Sequence, residues 1–113
     1  MKFLAVFCFL VTSIIVISCA RKSSPSATVA KTSYATSVNS IMQAKCTPCH
    51  IPAAGGKKLA LDTYTAVKTN IDDIIRRVQL APTEKGYMPM KHDPLPEAEI
   101  ALLKKWQAEG AAE

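Results

Sequence analysis

Five consecutive residues near the middle of the chain, Cys46-Thr47-Pro48-Cys49-His50, set the terms for any fold it can adopt. Two thiols three positions apart with an imidazole directly behind them admit four readings. A thioredoxin-like redox pair needs a surrounding βαβ pattern, and the sequence carries none. A structural zinc site drawn from Cys46, Cys49, His50 and His92 lacks the paired ligand spacing such sites use. A Cys46–Cys49 disulfide would close a tiny strained loop and leave His50 without a role. The fourth reading, C-x-x-C-H as the attachment sequence for c-type haem, employs all three side chains. On a helical turn each thiol can form a thioether to one porphyrin vinyl group, and the adjacent imidazole lies beneath the iron as proximal ligand.

The other two cysteines, Cys8 and Cys19, lie in an amino terminus of a different character. Met1 and Lys2 form a short positive start, and residues 3–17 then run without a charge. That length suits the apolar region of an export signal and falls short of the 18 or more residues of a spanning helix. The run closes in Val16-Ile17-Ser18-Cys19, which resembles a bacterial lipobox. The resemblance implies cleavage before Cys19, diacylglycerol on its sulfur and acylation of the new amino group. Residues 1–18 are then the signal peptide, and Cys8 leaves with it. An ordinary signal peptide or an uncleaved anchor, with Cys19 incidental, is the alternative.

Residues 20–33 are small, polar and proline-containing, with no apolar periodicity, and read as a flexible tether behind the lipidated Cys19. Fully extended, these residues would reach roughly 50 Å. The two or three acyl chains implied by the lipobox give stable anchoring where one would be marginal. The expected location is therefore the periplasmic side of a membrane. The charge distribution agrees with a body that does not bind nucleic acid. Of the 14 basic residues, Lys2, Arg21, Lys22 and Lys31 precede residue 34, which leaves 10 basic against 9 acidic residues in 34–113. Phosphate neutralisation requires a concentration of positive charge that this near-neutral body lacks.

Residues 87–90, Tyr87-Met88-Pro89-Met90, follow His50 in a segment, 81–96, holding four prolines and one glycine. A methionine is commonly an apolar filler. Here the proline-rich segment is a loop with little core to fill, set between two helical patterns. A thioether is a soft, neutral sixth ligand for haem iron. Met88 is the expected distal ligand, Met90 the alternative, and His92 a third candidate that reads better as a solvated loop residue.

With these residues in hand, 34–113 is similar to a small bacterial class I monohaem cytochrome c. The shared features are the early C-x-x-C-H, Met88-Pro89 in a late loop, and a closing helix with an aromatic residue, Trp106. The resemblance implies an all-α fold of three to four helices around one covalently attached haem. Many such proteins follow the histidine with a glycine-rich run and a proline whose carbonyl accepts the imidazole proton. Here Ile51-Pro52-Ala53-Ala54-Gly55-Gly56 follows, which leaves that acceptor open.

The periodicity agrees with the fold. Tyr34, Val38, Ile41 and Met42 share one face of a first helix over 34–45, capped by Ser33 or Thr36. Asp62 is the expected N-cap of a helix running to about Leu80, with Tyr64, Val67, Ile71, Ile74, Ile75 and Val78 on its apolar face. A last helix opens near Pro96, with Glu97 and Glu99 complementing its dipole, Ile100, Leu103 and Trp106 facing inward, and Gly110 ending it. Trp106 is expected to pack against the first helix. Adjacent arginines such as Arg76 and Arg77 usually face solvent, although either could meet a haem propionate. A core of about 80 residues rarely supplies more than a few kcal/mol alone, so the chain without haem should fold poorly.

Axial ligation by His50 and Met88 leaves no coordination position for a substrate. The expected function is one-electron transfer, the chain itself being an electron carrier and not an enzyme. A haem-based ligand sensor or peroxidase with a labile sixth ligand is the alternative. The expected partners are redox proteins of a respiratory chain, met through a small polar surface by a monomer. Lys45, Lys57, Lys58 and Lys91 flank the haem-binding segments and either guide an acidic partner or are ordinary solvated lysines.

Overall fold

The computed structural model describes residues 30–113. The expected signal peptide, Cys8, Cys19 and most of the tether lie outside the described residues. The fold is all-α. A π-helical turn, Tyr34–Val38, runs directly into α1, Asn39–Lys45; after a 3₁₀ turn at Pro52–Ala54 come α2, Tyr64–Val78, and α3, Glu97–Ala108. Among the described residues, no helix is long and apolar enough to cross a membrane.

The first helical segment and α2 begin where a side chain partners a free N–H of the first turn. Ser33 Oγ accepts the Thr36 N–H at 3.3 Å, starting the π turn. At α2 the cap is Thr63, whose Oγ1 accepts the Ala66 N–H at 3.2 Å. Asp62, expected in that role, stands one residue too early, and the helix ends at Val78, two residues short of Leu80. Either residue type can cap, and Thr63 stands next to the first helical residue in the extended conformation a cap adopts. Pro96 precedes α3, and Gly110 follows its last turn with φ +91°, a left-handed conformation suited to glycine.

α2 presents Val67, Ile71, Ile74, Ile75 and Val78 to the core, as its periodicity requires. They meet Leu103 and Trp106 of α3 and Val38, Ile41 and Met42 of the first helical segment in one continuous cluster. Trp106 does pack against that segment: its ring lies 6.2 Å from Tyr34 and 6.3 Å from Tyr64, with Tyr34 and Tyr64 5.8 Å apart.

The chain ends are tied into this aromatic group. Ala112 O accepts the Tyr34 N–H at 2.9 Å and the Trp106 indole N–H at 2.6 Å, and Ala111 O accepts the Tyr64 hydroxyl at 2.9 Å. The Thr32 N–H donates to Glu109 at 2.8 Å. Thr32 is buried, and Ser33 pairs with Ala112 in a lone parallel bridge. These two residues, read from the sequence as the end of the tether, pack with the folded body because their backbone groups find partners on the returning C-terminus.

Candidate haem site

His50 closes the C-x-x-C-H turn, its N–H donating to Cys46 O at 2.9 Å. Residues 51–61 then fold back over that turn. Lys58 N–H reaches Cys49 O at 3.1 Å, and Leu61 N–H reaches His50 O at 2.9 Å. Gly56 is required for the return. A Cβ there would lie 2.3 Å from Pro48 O, 2.7 Å from Cys49 O and 2.8 Å from Ile51 O, all backbone atoms, so no side chain fits.

The result of the fold-back is one hydrogen bond. His50 Nδ1 lies 2.7 Å from the Leu59 carbonyl oxygen. A carbonyl only accepts, so Nδ1 carries the proton and Nε2 presents its lone pair. The imidazole is thereby fixed in tautomer and direction, as metal-bound histidines are by their outer partners. This supplies the acceptor that the sequence left open. Leu59 carries no sequence signal for the task, because the working group is its backbone oxygen and its side chain is exposed.

Three adjoining cavities open on this turn, and Cys46, His50 and Met88 line all three. The largest is about 260 Å³ and runs along α2 past Leu61, Ile74 and Val78 to a polar margin of Lys58, Asn70, Asp73 and Arg77. Another reaches inward to Met42, Leu95 and Leu103. Of these three cavities, Met90 and His92 border only the one next to Cys49, and Met90 is 54% exposed. Met88 is half-buried, with Pro89 buried beside it.

Both cysteines are free thiols, Cys46 half-buried and Cys49 exposed. Burial pushes the Cys46 thiol up to about 11, and its S–H points at the Met42 sulfur 3.8 Å away. The donor set, two free thiols, an oriented imidazole and a thioether around an apolar-walled space, fits an iron porphyrin.

Arg77, one of the two arginines read as facing solvent or meeting a haem propionate, lines the largest of these cavities together with Asp73, which the sequence did not single out. Arg77 Nε donates to Asp73 at 2.5 Å and Arg76 pairs with the same carboxylate. Those two hydrogen bonds hold the Asp73 carboxyl below its ordinary range. Lys45, one of the flanking lysines, is engaged with Glu99 at 3.7 Å. The loop that carries Met88 also holds Lys91 in a left-handed conformation, φ +66°, which costs a non-glycine residue about 1 kcal/mol.

The family model described as cytochrome c oxidase, cbb3-type, subunit III matches residues 34–106. The chain belongs to that family. It is accordingly a c-type cytochrome, with covalently bound haem c and haem-based electron transfer in a respiratory setting. No curated protein and no solved structure matches it. The match spans the C-x-x-C-H turn, the Met88 loop and α3 as far as Trp106, which is nearly the whole of the described body.

Proposed function

We propose that the chain is a monohaem electron carrier of the class I type, with His50 and Met88 as axial ligands and Cys46 and Cys49 as thioether attachments. The observation that carries this reading is that Cys46, His50 and Met88 alone border every one of the three adjoining cavities. When bound, the haem supplies a single electron by exchange between ferrous and ferric iron. Cys46 and Cys49 hold it from one helical turn. His50 offers Nε2 because Leu59 O retains the Nδ1 proton. Met88 offers a neutral thioether from the opposite loop, which favours the ferrous form relative to a second imidazole. Met90 and His92 are exposed and stand at the rim of one cavity, which favours Met88 over both.

With both axial positions taken, the protein has no site for substrate and passes electrons to redox partners as a monomer. Residues 1–18 are the signal peptide and Cys19 the lipidated anchor, so the body, residues 34–113, works on the periplasmic side from a short tether. The family description favours a second arrangement, in which the same haem serves as one station of a larger respiratory assembly. Co-purification with an oxidase after mild detergent extraction would select the assembly, and isolation as a free monomer the shuttle.

The deciding experiment is the absorption spectrum of the full chain, matured by a haem-attachment system, in both oxidation states and with carbon monoxide. The expected result is a low-spin spectrum with the methionine-to-ferric-iron charge-transfer band and no response to carbon monoxide. Met88→Ala should abolish the band. If Met90→Ala abolishes it instead, the ligand assignment is wrong; a high-spin spectrum or ready carbon monoxide binding would replace the carrier with a sensor or peroxidase. Cys19→Ser should move the protein from the membrane to the soluble fraction.

A further inference from the structure

We propose that Arg77 is the positioning residue of the distal ligand, a clamp at the end of α2 that holds the Met88 loop in place, with Asp73 fixing the clamp. The inference rests on Met88 as the ligand. Its basis is the hydrogen bonding of residues 81–92. Most of their hydrogen bonds are local: Ala81 with Glu84, Tyr87 N–H to Glu84 O, His92 N–H to Pro89 O, and the Tyr87 hydroxyl to His92 O. Among the described residues, the two that tie this stretch to the rest of the chain both involve Arg77. Its carbonyl accepts the Met88 N–H at 3.2 Å, and its Nη1 donates to Gly86 O at 3.3 Å.

Each half of the clamp has a physical reason. Arg77 lies in the last turn of α2, where its carbonyl accepts only a long 3.4 Å bond from the Leu80 N–H and the contact of the Gln79 cap, short of a regular helical partner. The Met88 N–H shares this acceptor, which docks the ligand's own backbone on the helix end. The guanidinium is a planar fork that can serve two acceptors at once. Nε is held by Asp73 at 2.5 Å, one helical turn back, and that leaves Nη1 aimed at Gly86. A Cβ at residue 86 would come within 3.3 Å of Nη1, so the approach is already close.

The neighbour makes the contrast. Arg76 bonds the same Asp73 carboxylate but makes no hydrogen bond to the loop, and it is exposed. An ordinary surface ion pair would make the two arginines equivalent; only Arg77 lines the cavity and reaches the loop. Tyr87, Pro89 and Leu95 are buried and keep the loop packed when the side-chain half of the clamp is removed. Loss of Arg77 should therefore loosen the ligand and not unfold the protein.

The test uses imidazole as the probe and the ferric full-length holoprotein. Imidazole binds only when Met88 leaves the iron, so its apparent affinity scales with the fraction of molecules in which the ligand is off. A long, part-buried hydrogen bond such as Arg77 Nη1 to Gly86 O has the net worth of an ordinary one, enough to shift that fraction roughly three- to tenfold. Arg77→Ala should bind imidazole tighter by that factor and lose the charge-transfer band at lower denaturant than helical circular dichroism. In the parent both should disappear together, and Arg76→Ala should match the parent. Arg77→Lys keeps a charge beside Asp73 but lacks the second nitrogen, and it carries the same comparison if Arg77→Ala fails to incorporate haem. Imidazole affinity and band midpoint at parental values in Arg77→Ala, or in Arg77→Lys in its place, would overturn the clamp. Persistence of the band in Met88→Ala would instead refute the ligand assignment beneath it.

Discussion

Around Trp106 the molecule is closed by protein groups alone, whereas around Cys46 and His50 it surrounds space. In the first region three aromatic rings lie within 6.3 Å of one another, Trp106 is fully buried, and the returning C-terminus accepts hydrogen bonds from Tyr34, Tyr64 and Trp106. In the second, Ile74, Val78, Leu61 and Leu103 face cavities, and the polypeptide is arranged by backbone bonds such as Lys58 to Cys49 and Met88 to Arg77. A void forfeits the contacts its lining would otherwise make. The difference implies a division of labour: the aromatic region carries stability without a cofactor, and the cavity region gains it only when haem fills the space.

The comparison breaks most visibly at Trp106. Trp106→Ala should cost about 3–5 kcal/mol, the range for removing a buried tryptophan, and a large fraction of what a small domain has. Trp106→Phe keeps a ring but removes one of the two hydrogen bonds that Ala112 O accepts, leaving that from Tyr34, and should cost about 1 kcal/mol for the lost bond. Denaturation of the holoproteins followed by circular dichroism and by the charge-transfer band measures both. The two signals should fall together at a lower midpoint, because the ligand loop is untouched until the body unfolds. A band lost ahead of the helices in Trp106→Phe would show that the two regions are not separable.

Gly56 tests the other side at smaller cost. A methyl group there must displace the Pro48, Cys49 and Ile51 carbonyls, and overpacking of this kind costs roughly 1–3 kcal/mol or more. The strain falls on the turn that presents both thiols and His50. Gly56→Ala should lower the yield of haem-attached protein and disturb the proximal nitrogen resonances, while the Tyr34–Trp106 packing keeps its native near-ultraviolet dichroism. Normal haem loading would mean that the 51–61 fold-back is not what sets the proximal side.

These two regions also differ in how far the sequence discloses them. The helices and their apolar faces were legible because period and burial coincide, as at Ile71, Ile74, Ile75 and Val78. The C-x-x-C-H turn was legible because three reactive side chains stand together in the chain. Leu59 and Arg77 were not. At Leu59 the backbone carbonyl acts, and any residue type would serve. Arg77 works through a carbonyl and a fork whose partners lie nine and eleven residues on, at Gly86 and Met88, and it looks identical to Arg76 until the loop is folded against it. Thr32 joins the body for a related reason, since its partner Glu109 lies 77 residues away.

The smallest effect separates the regions by acid. Each contains one carboxylate held below its ordinary value: Glu109 chiefly by the Thr32 N–H, and Asp73 by the Arg77 and then the Arg76 guanidinium. A carboxyl lowered on folding contributes stability that is fully present above its unfolded value and disappears as the pH falls through its folded value. The windows therefore open at different points, below 4.5 for Glu109 and below 3.8 for Asp73. On acidification the Thr32 amide proton should move as the Glu109 carboxylate is protonated, and the methionine-to-ferric-iron charge-transfer band should weaken as Asp73 releases Arg77. Glu109→Gln should flatten the Thr32 titration and leave that of the band in place, and Asp73→Asn should do the reverse. Both are exposed enough for solvent to screen them, so the shifts will be small and best read by amide resonances and the charge-transfer band at low salt. A single transition in which both signals move together would mean that the aromatic region and the cavity region respond to acid as one unit.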